Sequence, residues 1–257
     1  MVDDNQKTVI VGISGASSSG KTTLCQLLVE IFPNLSVIHE DDFFKPEDEI
    51  PCKEGVQNWD CVEALSMPDI IKSLKYVRQN GTLPGNKEVN KPSPYLEDLI
   101  NSDKYSNFKD VIISLKNKVI SWSAPGQPGH ILQSRKIYLF EGFLLYSRST
   151  SDIWPYLDLK ILIQASQSFV KIHRMERLPY ITDEGYWEDP PDYLDSIVWP
   201  NYCHEHEWLF KNGDVEGNLL EMPDSRCKVM SLGGIDLDLE TALLRVVDLL
   251  MRELPNL

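Results

Sequence analysis

Basic residues are scarce in this chain: 25 Lys and Arg stand against 39 Asp and Glu, a formal net charge of −14. A surface of that sign repels phosphate polymers, and no local Lys/Arg run offsets it, so broad nucleic-acid binding is excluded. Long apolar runs are also missing. No stretch approaches the roughly eighteen apolar residues of a membrane-spanning helix, and the opening MVDDNQKTV has acids where a signal peptide has its apolar region. The five cysteines, Cys25, Cys52, Cys61, Cys203 and Cys227, include no C-x-x-C pair. A disulfide framework and a zinc ribbon are therefore not expected. What remains is a soluble intracellular protein of the cytoplasm or nucleus, without membrane or nucleic-acid partners. Its 257 residues, 42% hydrophobic, suffice for one α/β core, and a single domain over 1–257 is expected.

What is present begins at Thr8. TVIVGISGASSSGKTT, Thr8 to Thr23, opens with the β-branched content of a buried strand, and LCQLLVEIF, Leu24 to Phe32, has apolar residues at helical spacing. The small residues between them form a strand-to-helix turn. Gly15, Gly20, Lys21 and Thr22 match G-x-x-x-x-G-K-[ST], a loop whose backbone N–H groups wrap phosphate at a helix N-terminus. Glycine permits the positive φ angles of an anion nest and removes Cβ atoms that would block close approach. Gly15, Ala16, Ser17, Ser18, Ser19, Gly20, Lys21, Thr22 and Thr23 are thus expected to bind nucleotide. Lys21 would reach the β- and γ-phosphates and the Thr22 hydroxyl would ligate Mg²⁺. By chance such a match arises in roughly one chain in a hundred of this length.

Strands and helices then alternate. LSVIH, Leu35 to His39, reads as a second strand running into EDDFFKPED, and CVEALSMPDIIKSLKYV, Cys61 to Val77, as a helix in which Pro68 marks a kink or a new start. Asn80 to Arg135 is rich in Gly and Pro and reads as an irregular insertion, with one helix or strand segment near FKDVIISLKNKVI. KIYLFEGFLLY contains a central strand ending at Glu141 and Gly142, and LKILIQ, Leu159 to Gln164, is another. SFVKIHRMERL is helical, PYITDEGYWEDPPDY is a turn-rich connection within a lid over about 174–192, and a helix runs through VWPNYCHEHEWLF. A strand near CKVMSL and a helix at DLETALLRVVDLLMREL close the fold. The sum is a doubly wound, mostly parallel sheet with helices on both faces, a fold that binds ligands at the carboxyl ends of its strands.

Several acids stand at those ends. An acceptor hydroxyl needs a carboxylate to take its proton, and Asp41 and Asp42 leave the second strand on opposite sides, so only one of them easily faces the γ-phosphate. A turn or helix cap is their other reading. Phe43 and Phe44 either wall a pocket or pack in the core. Glu141 suits a Mg²⁺-holding carboxylate or a capped loop acid. Arg174 and Arg177, three apart on one helical face, either meet developing phosphate charge or face solvent. Asp60 can cap a helix or accept two hydrogen bonds from a ribose diol while Trp59 stacks on a flat ring. His204 and His206 are two apart and share no helical face, which argues against a metal pair.

GISGASSSGKTT, HEDDFFKP, QNWDCVEAL, EGFLLY, the arginine helix and DPPDYLDSIVWPNY, in that order, resemble the nicotinamide riboside kinase family. NGDVEG, Asn212 to Gly217, together with the long insertion, is most similar to its fungal members. The resemblance spans nearly the whole chain except Asn80 to Arg135. It implies a P-loop nucleoside kinase fold like that of uridine kinases. The implied reaction moves the γ-phosphate of ATP or GTP, with Mg²⁺, to the 5′-hydroxyl of nicotinamide riboside, giving nicotinamide mononucleotide for NAD synthesis. By position it implies Asp41 as the base, with Lys21 and Arg174 beside it in catalysis, and Asp60 and Arg174 on the ribose hydroxyls. Trp59 would stack on the base, with Tyr180 or Tyr186 as a second aromatic. Asp189 would lie near the substrate, Arg177 at the nucleotide, and Thr22 and Glu141 at the metal. Two other readings share parts of this set: a kinase of uridine or cytidine, and a non-catalytic P-loop switch. Asp41, Asp60 and Glu141 together stand against the switch, since a pure binder does not need them.

Overall fold

The computed structural model describes residues 8–53, 55–84, 108–176, 180–182, 185–222 and 228–257. Five parallel strands form the main sheet: β1 (Thr8–Ser14), β2 (Leu35–His39), β5 (Lys136–Gly142), β6 (Leu159–Gln164) and β9 (Met230–Ile235). Their spatial order is β2-β5-β1-β6-β9. Both faces of β1 are buried, and its side chains alternate between two cores: Val9, Val11 and Ile13 enter one, Ile10 the other. Strict period two with apolar residues on both sides is the mark of a central parallel strand.

Helices α1 (Lys21–Ile31), α3 (Phe108–Trp122) and α6 (Leu239–Glu253) pack together on one face. Leu24, Leu27, Phe108, Leu115, Val119, Val246 and Leu250 are buried there. The FKDVIISLKNKVI segment is thus a helix, and it contributes to the main core. The other face carries α2 (Met67–Asn80), α4 (Gln167–Met175) and α5 (Trp199–His206), which bury Ile70, Leu74, Val170 and Tyr202. A π-helical stretch, Leu194–Val198, leads into α5.

Pro68 begins a new helix instead of kinking an old one: it occupies the first turn of α2, where its missing N–H costs nothing, and the residues before it form a separate 3-10 turn, Val62–Ala64. Two short hairpins lie outside the sheet, β3 (Cys52–Lys53) with β4 (Val56–Gln57) and β7 (Tyr180–Thr182) with β8 (Gly185–Trp187). The second forms within the stretch that reads from sequence as a turn-rich connection. Among the described residues no helix is long and apolar enough to cross a membrane. Cys25, Cys52, Cys61 and Cys203 are free thiols. Cys227 lies outside the described residues.

Candidate active site

The carboxyl ends of β1, β2 and β5 lie side by side. The anion loop follows β1, and its Ser18 and Gly20 both take left-handed backbone, with φ of 65° and 88°. Gly20 is the N-cap of α1 and no side chain caps the helix there. The first-turn amides are thereby left for an anion. Lys21 is buried and its Nζ donates to the Ala16 carbonyl at 2.9 Å, so the amine folds back over the loop that it belongs to.

β2 and β5 are paired in register, with His39 opposite Glu141. His39 Nδ1 lies 2.6 Å from Glu141 Oε1, and the Thr22 hydroxyl donates to the same oxygen at 3.0 Å. Burial pushes the Glu141 carboxyl up, but the His39 hydrogen bond, the Lys21 charge and Thr22 outweigh it and hold Glu141 below its usual value. His39 moves the other way: burial disfavours its charged form, yet Glu141 and the nearby Asp42 and Asp41 raise its pKa. Thr22 and Glu141 thus offer two hard oxygen donors at one point. Among the described residues there is no cluster of three or more His, Cys, Asp or Glu suited to a metal. That sparse donor set fits Mg²⁺, which keeps several waters and binds through one or two carboxylates and substrate phosphates.

Beyond β2 the chain tightens into a 3-10 turn, Glu40–Phe43, that splits three acids by direction. Glu40 turns inward and its Oε2 accepts the Phe143 and Leu144 amides at 2.7 and 3.0 Å. Gly142 makes room for it, since a Cβ there would collide with the Glu40 carboxylate. Burial pushes the Glu40 pKa up to about 8, against the pull of those two amides. Asp41 has an exposed side chain, yet protein atoms crowd its carboxyl. That desolvation and the Glu141 charge raise its pKa to about 6, opposed by Lys21 and His39, with Asp60 adding a smaller upward push. Asp41 is therefore the acid within electrostatic reach of both the loop lysine and Asp60. Asp42 is exposed.

On the far wall, Phe44 stands edge-on to Trp59, 5.4 Å between ring centres, and stacks on Phe143 at 6.1 Å. Phe43 and Phe44 are both half-buried and pack against the core on the α2 side. Arg174, at the end of α4 and buried, gathers this wall. Its Nε and Nη2 donate to the two oxygens of Asp189, Nη1 donates to Ser17 Oγ at 2.9 Å, and Nη2 lies 3.9 Å from Asp60 Oδ2. Its guanidinium also stands 5.6 Å over the Tyr193 ring. Tyr193 OH in turn accepts the Trp59 backbone N–H at 3.0 Å.

Lys21, Thr22, Asp41, Trp59, Asp60, Glu141, Arg174 and Asp189, all named from sequence, are thus joined through one set of hydrogen bonds, ion pairs and charge interactions, Trp59 by way of Tyr193. Arg177 lies outside the described residues, and Tyr180 and Tyr186 are placed only by their backbones on β7 and β8. The fold brings the Phe44 ring edge-on to Trp59 and the Tyr193 hydroxyl to its backbone N–H; the sequence singles out no role for Tyr193, although it stands in the DPPDYLDSIVWPNY motif. His39 and Glu40 were passed over as well. His206 is fully buried, bonds the Tyr202 carbonyl through Nδ1 and stacks on the Tyr202 ring, and burial pushes its pKa down to about 4.

An anion loop at the mouth of α1, facing a carboxylate able to deprotonate an acceptor, serves phosphoryl transfer from a nucleotide to a hydroxyl compound. The fold and site together define a P-loop kinase. Curated relatives narrow the class. A nicotinamide riboside kinase of Schizosaccharomyces pombe is 38% identical over 216 residues, covering 84% of this chain and 86% of its own. A nicotinamide riboside kinase of Saccharomyces cerevisiae is 32% identical, covering 84% of each, and human nicotinamide riboside kinase 1 is 29% identical over 96% of this chain and 94% of its own. The chain belongs to the nicotinamide riboside kinase family, with more identity to these fungal members than to the human one. No protein-family model matches it. Among solved structures, an unliganded sugar kinase from Janibacter sp. HTCC2649 aligns over 94% of this chain and 93% of its own at 12% identity, with a TM-score of 0.39.

Proposed function

We propose that the protein phosphorylates the 5′-hydroxyl of nicotinamide riboside with the γ-phosphate of ATP or GTP, yielding nicotinamide mononucleotide. One observation carries the reading: a single guanidinium, Arg174, touches Ser17 of the anion loop on one side and stands beside Asp60 of the acceptor wall on the other. Donor and acceptor half-sites are thus one side chain apart. Asp60 and Arg174 grip the ribose diol, and the exposed part of Trp59 offers its face to the nicotinamide ring. That ring is cationic, which adds a cation–π attraction that neutral uracil lacks. Asp41 accepts the 5′-hydroxyl proton as the oxygen attacks. Lys21 swings from the Ala16 carbonyl to the phosphates. Thr22 and Glu141 would hold Mg²⁺, whose charge would offset that of the phosphates during transfer. His39 keeps the Glu141 carboxylate aimed.

The test is a panel of nicotinamide riboside, uridine and cytidine, each offered with ATP and with GTP in excess Mg²⁺. The expected result is the highest kcat/KM for nicotinamide riboside. A protein that prefers uridine or cytidine overturns the acceptor assignment and leaves the phosphate-loop chemistry standing.

A further inference from the structure

The loop that presents Trp59 and Asp60 has no sheet or helix of its own between β4 and the Val62–Ala64 turn. Remote hydrogen bonds from the segment entering and forming α5 hold it. Besides the Tyr193 hydroxyl on the Trp59 N–H, Asn201 Nδ2 donates to Asn58 Oδ1 and to the Asp60 carbonyl, both at 3.0 Å. Two amide protons meet two acceptors, one on each side of Trp59. The Asn201 Oδ1 lies 3.4 Å from Lys53 Nζ on β3, so the orientation of the carboxamide follows from its partners: turned over, it would set oxygen against two oxygens and NH₂ against an ammonium. Asparagine is a poor helix former, and this one stands in the first turn of α5 without capping it. Its side chain serves the loop instead of the helix.

We propose that Asn201 is a positioning residue for the acceptor nucleoside: it ties down the Asn58 side chain before Trp59 and the Asp60 carbonyl after it, so that the indole face and the Asp60 carboxylate are presented at a fixed spacing. Both of its donors are used by the loop, so it acts through Trp59 and Asp60. The donor half-site is built on β1 and α1, which Asn201 does not hold. Its loss therefore acts on the nucleoside and spares the nucleotide.

The inference rests on Trp59 and Asp60 being the acceptor site. The sharp variant is Asn201→Asp, which keeps the size and the Lys53 contact but sets a carboxylate against two oxygens. Asn201→Ala is the milder second variant. In the full-length protein we would measure kcat, both KM values, nucleoside affinity without nucleotide by calorimetry, and the melting temperature. The nucleoside is whichever of nicotinamide riboside, uridine and cytidine the wild type uses best, so a wrong substrate assignment shows in the wild type alone. The expected result is a nucleoside KM and Kd about tenfold or more higher, the factor for one buried hydrogen bond, with the nucleotide KM and the melting temperature little changed. Nucleoside constants that stay at wild-type values overturn the proposal. So does a joint loss of both substrates with a lowered melting temperature, the mark of a merely structural residue. If the Asp variant does not fold, the Ala variant is read by the same criteria. A wild type that phosphorylates none of the three removes the acceptor site and the proposal with it.

Discussion

Three consecutive acids, Glu40, Asp41 and Asp42, meet three different environments, and their chemistry follows from direction alone. As the proposed base, Asp41 must be ionised to take a proton, and desolvation and the Glu141 charge raise its pKa to about 6. The nucleoside kcat/KM, which reports the free enzyme, should therefore rise with pH through about 6 and level off above it. Asp41→Asn should cost about 10²–10⁴-fold in kcat, with little change in nucleoside KM, and Asp42→Asn far less. Steady-state kinetics on the two variants reads the contrast; equal losses would reassign the base. At this scale the sequence marks the residues of local motifs that the fold brings near one another, as with Lys21, Thr22 and Trp59-Asp60. It was silent on His39 and Asn201, because their partners lie 102 and 143 residues away and become neighbours only through strand order and helix packing.

Among the elements, the long segments with clean periodicity were readable: β2, β5 and β6 begin and end where the alternation and apolar runs say. Shorter pieces were not, since the β3–β4 and β7–β8 hairpins are only two and three residues per strand. The start of α1 was also hidden, because Lys21, Thr22 and Thr23 are polar helix residues that hydrophobic spacing does not see. Glu40 ties the end of β2 to the turn after β5, and it leaves a trace in stability. Its folded pKa of about 8 lies above the unfolded value of about 4.3. The folded protein thus keeps a proton that the unfolded chain has released. The stability gained from this is full below about pH 4 and is lost as the pH rises toward 8. Glu40→Gln keeps an oxygen for the Phe143 and Leu144 amides and removes the titration. Its melting temperature relative to wild type should therefore climb between pH 6 and pH 8.5; a constant difference would mean that the carboxyl is already ionised at neutral pH.

For the whole molecule, the sheet carries a core on each face, and the candidate site gathers at the ends of its strands. The core on the α1, α3 and α6 side contains Leu250, fully buried. Leu250→Ala should cost about 2–5 kcal/mol in a denaturant titration while kcat/KM, measured well below the melting temperature, stays near wild type. A large kinetic loss would mean that the two faces are mechanically joined. The two proposed half-sites, by contrast, share the Arg174 guanidinium, which donates to Ser17 and stands beside Asp60. A group shared by two half-sites makes neither of them private: a nucleoside that draws Arg174 toward the diol loosens its hold on Ser17, and a phosphate that reshapes the anion loop changes where Arg174 can point. Thermodynamic symmetry then applies, and each substrate alters the affinity of the other by the same factor. The affinity for each substrate, measured with the other bound, is therefore not a private constant of one pocket but one of two readings of a conversation held across a single side chain.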